Sequence, residues 1–292
     1  MRFRSAGLIG KTDAGRIAET LTELHQHLRK RGLDVVVEQE SSPLVSDAGV
    51  KVGTLDELGR RCDFVVVVGG DGTLLAAARG LAPHGVPLIG VNLGRLGFLV
   101  DISPTDIATH LDEVLEGRYT EEERFILRAT VLRQGTALFS QTAINDVVIH
   151  RSNATSMIEI VTHIDGVFLN SQRSDGLIVS TPTGSTAYAL SAGGPILSPS
   201  LNALVLAPIN PHTLTNRPIV LDSRSRVGIS FRPSKHFSAQ VVCDNIPSPG
   251  LEIDDTVEIL KEERPFRLWH PVGYDFYEIL RAKLNWSSGY RV

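Results

Sequence analysis

The chain has 292 residues, of which 42% are hydrophobic, and a formal net charge of −4 at pH 7. This length suits one large core or two of moderate size, and we expect two domains. Positive and negative charges are interspersed without a basic stripe, which argues against nucleic acid as a partner. The longest apolar runs are far shorter than the ~20 residues of a membrane-spanning helix, and the N-terminus lacks a signal-peptide pattern. The composition therefore predicts a soluble, cytoplasmic protein with no membrane partner.

The first hundred residues alternate apolar strands with amphipathic helices. The segments "AGLIG", "LDVVVEQE", "FVVVV" and "PLIGVN" read as strands that are apolar on both faces. Between the first two, Ile17, Leu21, Leu24 and Leu28 fall on one helical face, and a second helix is expected to begin near Thr73. This alternation predicts an α/β domain with a parallel sheet of the Rossmann-like or phosphofructokinase-like kind.

The composition changes after Gly117. Long segments rich in β-branched residues are broken by "QG", "DG" and "SDG" turn signals, which predicts a β-rich second domain. The acidic run at residues 121–124 is interpreted as a solvated approach to a strand. The final "YDFYEILRAKL" places Phe276, Leu280 and Leu284 on one face of a helix that packs back. The expected domains are residues 1–102, joined by 274–292, and residues 103–273.

Histidine and cysteine show no metal-binding pattern. The sequence lacks an H-E-x-x-H pair and a Cys/His cluster, so no metal held by protein side chains is expected. Cys62 and Cys243 are predicted to be buried packing residues rather than a disulfide or a thiolate site.

The segment "GGDGT", residues 69–73, follows a predicted buried strand and opens a predicted helix. Its glycines permit close approach of a ligand, and the free amides of the helix attract an anion. Asp71 would be repelled by bound phosphate unless it takes a proton from a nucleophile or acts through a divalent cation. The alternative is a tight turn in which Asp71 only caps the helix.

Two further segments carry candidate binding residues. In "GVNLGRLGF", Phe98 is positioned to lie against a planar ring. The alternative is that this segment is a flexible connection and that Phe98 packs into the core. In "AINDVVIH", Asn145 and Asp146 supply an amide and a carboxylate suited to the vicinal hydroxyls of a ribose, or else they form a turn.

The segment "SQRSDGLIVSTPTGSTAYALSAGGPIL", residues 171–197, concentrates small hydroxyl side chains and glycines beside an apolar strand. So many hydroxyls next to a core are costly unless they line a polar ligand. We therefore interpret this segment as ligand-lining.

Taken in order along the chain, "GGDGT", "RLGFLVD", "ND" and "SDGLIVSTPTGSTAYALSAGGPI" resemble the bacterial NAD kinases. "GGDGT" alone is shared with diacylglycerol and sphingosine kinases and, more loosely, with phosphofructokinases, whereas the long hydroxyl segment is close to diagnostic. The resemblance implies a nucleotide-binding α/β domain, a β-rich dinucleotide-binding domain and a homodimer or homotetramer.

The resemblance also implies residue roles. Asp71 would be the base for the 2′-hydroxyl of the adenosine ribose of NAD, and Asn145 and Asp146 would hold ribose hydroxyls. Many family members carry glutamate where this chain has Asp146, which is shorter by one methylene. The other implied nucleotide-binding residues, some of them acting across a subunit boundary, are Gly70, Gly72, Thr73, Phe98, Arg173, Asp175, Thr186, Ala187, Tyr188 and Ser191.

The implied activity is transfer of the terminal phosphoryl group of ATP to NAD, which makes NADP, with Mg²⁺ or another divalent cation accompanying ATP. Arg173 resembles the version found in relatives that prefer NAD to NADH and nucleoside triphosphate to polyphosphate. Two alternatives stay open at this point. A lipid kinase sharing the "GGDGT" turn needs an apolar acceptor pocket, and a dinucleotide sensor would bind NAD without turnover.

Overall fold

The computed structural model describes residues 3–10, 15–94, 96–103, 106–153 and 156–286. The chain divides into two compact units, of which the first comprises Met1–Glu123 with Arg264–Val292 and the second Arg124–Glu263. The boundaries expected from the sequence, after residue 102 and before residue 274, differ from this division. Ile107, Leu111 and Val114 belong to the core of the first unit, as does Trp269, so residues on both sides of the β-rich part fold with the α/β part. Within the described residues no helix has both the length and the apolarity to cross a membrane.

The secondary structure of the described residues is as follows. The helices are α1 (Gly15–Lys30), α2 (Leu55–Arg61), α3 (Asp71–Leu81), α4 (Ile107–Leu115), α5 (Tyr188–Ser191) and α6 (Phe276–Leu284). The strands are β1 (Ser5–Gly10), β2 (Asp34–Glu38), β3 (Lys51–Gly53), β4 (Phe64–Val68), β5 (Leu88–Val91), β6 (Thr120–Arg124), β7 (Leu127–Arg133), β8 (Thr136–Ala143), β9 (Asp146–Arg151), β10 (Ile158–Ile164), β11 (Val167–Ser174), β12 (Gly176–Ser180), β13 (Ala203–Ile209), β14 (Ile219–Asp222), β15 (Val227–Phe231), β16 (Ala239–Cys243), β17 (Ile246–Pro247), β18 (Thr256–Lys261) and β19 (Phe266–His270).

The first unit is built on a seven-stranded sheet in the order β3-β2-β1-β4-β5-β19-β6. The pairs that join β3, β2, β1, β4, β5 and β19 are parallel, as the alternation of strands and helices predicted. All five residues of β4 are buried, because helices cover both faces of such a sheet. The carboxyl end of β4 is followed directly by the turn that leads into α3.

The helices of the first unit follow the predicted apolar faces. Ile17, Leu21, Leu24 and Leu28 of α1 are all buried, and the chain turns after α1 at Gly32, whose φ is +84°. A left-handed residue at the end of a helix favours glycine, which has no side chain to clash. In α6, the predicted Leu280 is buried and Phe276 and Leu284 are partly buried, and Ile279, which was not predicted, is buried beside them.

An aromatic cluster closes the edge of the first unit. The ring of Trp269 stacks on Tyr119 with centroids 4.1 Å apart and packs near Phe3 and Phe64. Its indole N–H donates to Glu121 at 2.7 Å. The acidic run at residues 121–124 is thus the edge strand β6, with buried Arg124 at its end, and not merely a solvated approach.

The second unit contains two six-stranded sheets, ordered β11-β10-β15-β18-β7-β8 and β14-β13-β12-β9-β16-β17. One apolar cluster draws on both, with Val131 and Ile160 from the first sheet and Ile149 and Leu206 from the second. Residues of β15 alternate between buried and half-buried, which is typical of a sheet with one covered face.

Strand β12 differs from β15 because every one of its residues is buried. The second face of its sheet is covered by Ala189 of α5 and by Leu197, which pack with Ile178 and Val205. The hydroxyl-rich segment that follows β12 is therefore folded back on its own sheet. Cys62 and Cys243 are buried thiols that are not joined in a disulfide, as expected.

Candidate active site

The "GGDGT" turn lies where the sequence placed it, between the end of β4 and the start of α3. The amides of Thr73 and Leu74 donate to the Gly70 carbonyl at 3.0 and 3.2 Å. A β-carbon on Gly69 would lie 2.6 Å from Thr73 Oγ1, so this position has no room for a side chain. Gly70 and Gly72 instead face open space, with nothing within 4 Å of an added β-carbon. The N-terminus of α3 is therefore accessible to an anion at these glycines.

The carboxylate of Asp71 is held by the backbone of a second loop. Its Oδ2 accepts from the Phe98 amide at 2.9 Å, and its Oδ1 accepts from the Leu99 amide at 3.0 Å. The N-cap of α3 is Gly70, without a side-chain cap, so Asp71 does not act as the capping residue of the alternative interpretation. A β-carbon on Gly97 would lie 2.2 Å from Asp71 Oδ1. Glycine at 97 is thus required for the carboxylate to reach these amides.

A cavity of about 510 Å³ adjoins this turn. Gly70, Gly72 and Thr73 are among its lining residues, and so are Glu38 and Glu40. Glu38 is already bound within the protein, because its carboxylate accepts from the amide and the hydroxyl of Ser41, each at 2.9 Å. The volume is within the range of small-molecule and cofactor sites.

Phe98 is half-buried and does not pack into the core. The ammonium of Lys283, on α6, lies 5.1 Å from the centre of its ring, within the range of a cation–π contact. Lys283 was not predicted from the sequence, because Phe98 lies almost two hundred positions away from it. The structure of the first unit thus groups Gly70, Asp71, Gly72, Thr73 and Phe98.

In the second unit, Asn145 and Asp146 stand at the start of β9. The carboxylate of Asp244 accepts from the amides of Ile144, Asn145 and Asp146 at 3.0, 2.8 and 3.3 Å. Burial raises the pKa of Asp146 to about 7, and the charge of Asp244 adds to the effect. Asp244 was missed by the sequence analysis, although "CDNIP" after an apolar strand is typical of a hairpin turn.

Most hydroxyls of the segment after β12 are used within the protein. Thr181 Oγ1 donates to the Ile144 carbonyl at 2.6 Å. Ser185 Oγ donates to the Pro182 carbonyl at 2.6 Å and accepts from the Leu197 amide at 3.0 Å. These buried side chains stabilise a turn. The number of hydroxyls in the segment therefore overestimates the number that can contact a ligand.

That turn is pressed against Asn145. A β-carbon on Gly184 would lie 2.1 Å from the Asn145 carbonyl oxygen, and the Thr181 amide donates to the same oxygen at 2.9 Å. The predicted residues Thr186, Ala187, Tyr188 and Ser191 follow directly, and all are at least partly accessible. The structure therefore places the turn that contains Thr181 and Gly184 against Asn145, and residues 186–191 continue directly from that turn.

Arg173 and Asp175 lie elsewhere in the second unit. In the pairing of β12 with β9, Ser180 is opposite Asp146, whereas Gly176 is opposite His150 at the other end. Asp175 pairs with Arg151 at 2.7 Å and accepts from the Asn210 amide group at 3.0 Å. Within one copy of the second unit, these two residues do not join the group at Asn145.

Comparisons with known proteins agree along the whole chain. The family model described as ATP-NAD kinase N-terminal domain matches residues 6–119, and that described as ATP-NAD kinase C-terminal domain matches residues 144–270. NAD kinase of Methylococcus capsulatus is 61% identical over 98% of this chain and 99% of the relative, and that of Nitrosococcus oceani is 49% identical over 98% and 97%.

Among solved structures, yeast NADH kinase complexed with NADH has a TM-score of 0.88 at 26% identity, covering 99% of this chain and 90% of that chain. An NAD kinase from Archaeoglobus fulgidus in complex with ATP has a TM-score of 0.71 at 25% identity, with coverage of 96% and 97%.

Proposed function

This chain belongs to the NAD kinase family, whose members move the terminal phosphoryl group of ATP to the 2′-hydroxyl of the adenosine ribose of NAD, and we propose which of its residues carry that reaction. Asp71 is the general base. Its carboxylate takes the proton of the 2′-hydroxyl as the ribose oxygen bonds to the γ-phosphorus, while the bond from that phosphorus to the bridging oxygen breaks and ADP leaves.

The observation that carries this proposal is the environment of Asp71. A carboxylate stands at an open helix N-terminus, oriented by two backbone amides that keep it in place. Each oxygen that accepts one amide retains a second lone pair, so the carboxylate can still accept a proton. The amides of Gly70 and Gly72 and the hydroxyl of Thr73 supply donors for phosphate, so catalysis depends mainly on positioning and charge neutralisation.

In the second unit, Asn145 and Asp146 bind ribose hydroxyls. The three amides that hold Asp244 fix the backbone of residues 144–146, so the two side chains are presented by a rigid support. Thr186, Ala187, Tyr188 and Ser191 bind the rest of the dinucleotide, and Phe98 flanks it. The shorter side chain of Asp146 is compatible with this role because it still supplies a carboxylate.

Arg173 and Asp175 contribute to the nucleotide site of a second copy of the chain. They lie at the opposite end of β12 from Asn145. If they bind the same nucleotide as an Asn145 side chain, that Asn145 belongs to another copy of the chain. The edge strand β11 supports this assignment, since its Val167 and Phe168 are 71% and 57% exposed and suit a subunit interface. We propose a homodimer or homotetramer that works in the cytoplasm, without a nucleic-acid or membrane partner.

Magnesium accompanies ATP as part of the substrate. No group of three or more His, Cys, Asp or Glu side chains suited to a metal ion occurs among the described residues. Mg²⁺ needs no such group, because it keeps several waters and binds nucleotide phosphates with one or two carboxylates. When bound, it would neutralise charge on the donor phosphates, and Asp71 is the carboxylate that the "GGDGT" turn could offer to it.

An end-point assay tests the proposed function. Purified protein is incubated with NAD and magnesium plus ATP, polyphosphate or no donor, and NADP is measured. We expect NADP with ATP only, in line with Arg173, and none without a donor. Binding of NAD with no NADP from any donor would instead identify a sensor, and phosphorylation of diacylglycerol in a parallel reaction would identify a lipid kinase.

A further inference from the structure

A buried histidine of the first unit lies between two carboxylates. His270 ends β19 and is 1% exposed. Its Nδ1 lies 2.9 Å from Asp101 and its Nε2 lies 3.2 Å from Glu122 on β6. The ring also stacks on Tyr274, with centroids 3.8 Å apart and planes at 11°. Both ring nitrogens therefore face acceptors, which suits the doubly protonated imidazolium.

Asp101 depends on this contact. Its other oxygen, Oδ1, is buried without a hydrogen-bond partner among the described residues. Leaving a buried carboxylate without His270 would be costly, so Asp101 would have to move towards water. Any such movement acts on the short segment that precedes it.

That segment leads back to Asp71. Phe98 and Leu99, whose amides hold the Asp71 carboxylate, stand three and two positions before Asp101. The segment has little freedom, because Val100 is fully buried and Ile102 forms a parallel bridge to Val91 of β5. A change at Asp101 is thus transmitted to the amides of Phe98 and Leu99 over a few bonds of packed backbone.

We propose that His270, through Asp101 and Glu122, is a positioning residue that holds the Phe98–Leu99 amides, and with them the Asp71 carboxylate, in the geometry needed for phosphoryl transfer. The inference rests on the proposed role of Asp71. His270 touches neither substrate, and its effect belongs to turnover rather than to substrate binding.

The charge of His270 adds a pH dependence. Burial alone lowers the pKa of His270, but the hydrogen bonds and charges of Asp101 and Glu122 outweigh it, and the pKa is raised. A histidine whose pKa is raised in the folded protein contributes fully at low pH and loses that contribution as pH rises through the folded-state value. The groups that face the ring are Asp101, Glu122 and Tyr274, so turnover should decline on the alkaline side when the ring loses its second N–H.

The test compares His270→Gln with wild-type protein. Both N–H donors of glutamine are on a single nitrogen, so its side chain cannot serve two carboxylates that face opposite edges of the histidine ring. We expect kcat for NADP formation to fall by about tenfold to 100-fold with KM for NAD and ATP within about twofold, because a displaced base impairs turnover. The alkaline decline should disappear in His270→Gln and move to lower pH in Glu122→Gln, which removes one of the charges that raise the pKa.

The matched control is His25→Gln. His25 is also 1% exposed, belongs to the first unit and pairs with a carboxylate, Asp47, at 2.8 Å, but among the described residues no hydrogen bond or ion pair joins it to the Asp71 loop. Its substitution should lower the melting temperature to a similar degree and leave kcat unchanged. An equal loss of kcat in both variants would overturn the proposal, as would a kcat for His270→Gln equal to that of wild type.

A double variant tests the route through Asp71. If His270 acts by placing Asp71, then Asp71→Asn with His270→Gln should have the same residual kcat as Asp71→Asn alone. Independent, multiplying losses would overturn the proposal. If His270→Gln does not fold, the pH profile of kcat for Glu122→Gln is the test. An alkaline decline at lower pH than in wild type supports the proposal, and an unshifted decline overturns it.

Failure of the proposed function is recognised separately. Wild-type protein that makes no NADP would refute the activity without bearing on His270. In that case ¹⁵N spectra of wild-type and His270→Gln protein still report whether His270 influences the amides of Phe98 and Leu99. Changed amide resonances of Phe98 and Leu99 would support it, and unchanged ones would overturn it.

Discussion

The two candidate binding regions handle polar side chains in opposite ways. At the "GGDGT" turn, a single carboxylate is held by backbone amides beside glycines that leave open space. In the segment after β12, hydroxyls are abundant, but Thr181 and Ser185 are buried and bound to neighbouring backbone. The difference teaches that polar residues in a motif divide into those that shape the chain and those that remain available to a ligand.

The largest expected effect is at Asp71, the residue available for chemistry in the first region. Asp71→Asn should lower kcat by about 10²- to 10⁴-fold, the range of a positioned general base, with KM for NAD little changed. Steady-state kinetics of NADP formation give both constants. Asn145→Ala in the second region should leave kcat little changed and mainly raise KM for NAD. Equal effects of the two variants on kcat and on KM would contradict the proposal that Asp71 serves catalysis and Asn145 serves NAD binding.

Gly97→Ala tests whether the support of Asp71 matters as much as the carboxylate itself. The new methyl would lie 2.2 Å from Asp71 Oδ1, so the side chain must move away from the two amides. Misplacement of about 1 Å can cost about 100-fold in rate, and we expect a loss of that order in kcat. Gly72→Ala, which faces open space, is the matched control for stability. Full activity of Gly97→Ala would show that the carboxylate works without this support.

Ser185→Ala and Ser191→Ala separate the two kinds of hydroxyl within one segment. Ser185 is buried and its loss leaves the Leu197 amide unpaired, so the free energy of unfolding should fall by about 1–3 kcal/mol. Ser191 is exposed, and its loss should change stability by less than about 0.5 kcal/mol while raising KM for NAD. Denaturant titration and kinetics of both variants provide the measurements. Similar stability losses for both would contradict the distinction.

The smallest expected effect is the pH dependence at Asp146, whose pKa is raised to about 7. The ionised carboxylate is the better acceptor for ribose hydroxyls, so KM for NAD should fall by up to about tenfold between about pH 6 and 8. Because a raised folded-state pKa favours the protonated form, the substrate-free protein should lose unfolding free energy as pH rises from about 4 towards 7. Asp146→Asn should flatten both profiles. A wild-type KM that does not change with pH would count against this assignment.

The sequence predicted the features that depend on local pattern. The strands of the first sheet, the α1 face from Ile17 to Leu28 and the turn at Asp71 follow from periodicity and from glycine at a strand end. The features it missed depend on residues distant along the chain. Asp244 supports Asn145 from ninety-nine positions away, and His270 contacts Asp101 and Glu122 across even longer separations. Such partners are specified by strand order, which a single sequence does not reveal.

The domain boundaries illustrate the same limit. The change in composition after Gly117 marks where helices give way to strands, but not which core a strand joins. Residues 264–273 look like a continuation of the β-rich part, yet β19 pairs with β5 in the parallel sheet. Local pattern identifies the strand, and only the tertiary structure assigns it to a unit.

The aromatic cluster at the edge of the first unit has an optical consequence. The chain contains two tryptophans, of which Trp269 is 5% exposed and Trp286 is 61% exposed. The buried indole should emit at shorter wavelength and resist quenching by iodide, whereas the exposed one should emit at longer wavelength and be quenched. Since Trp269 is the chain neighbour of His270, its fluorescence offers an intrinsic reporter of that region without any attached dye.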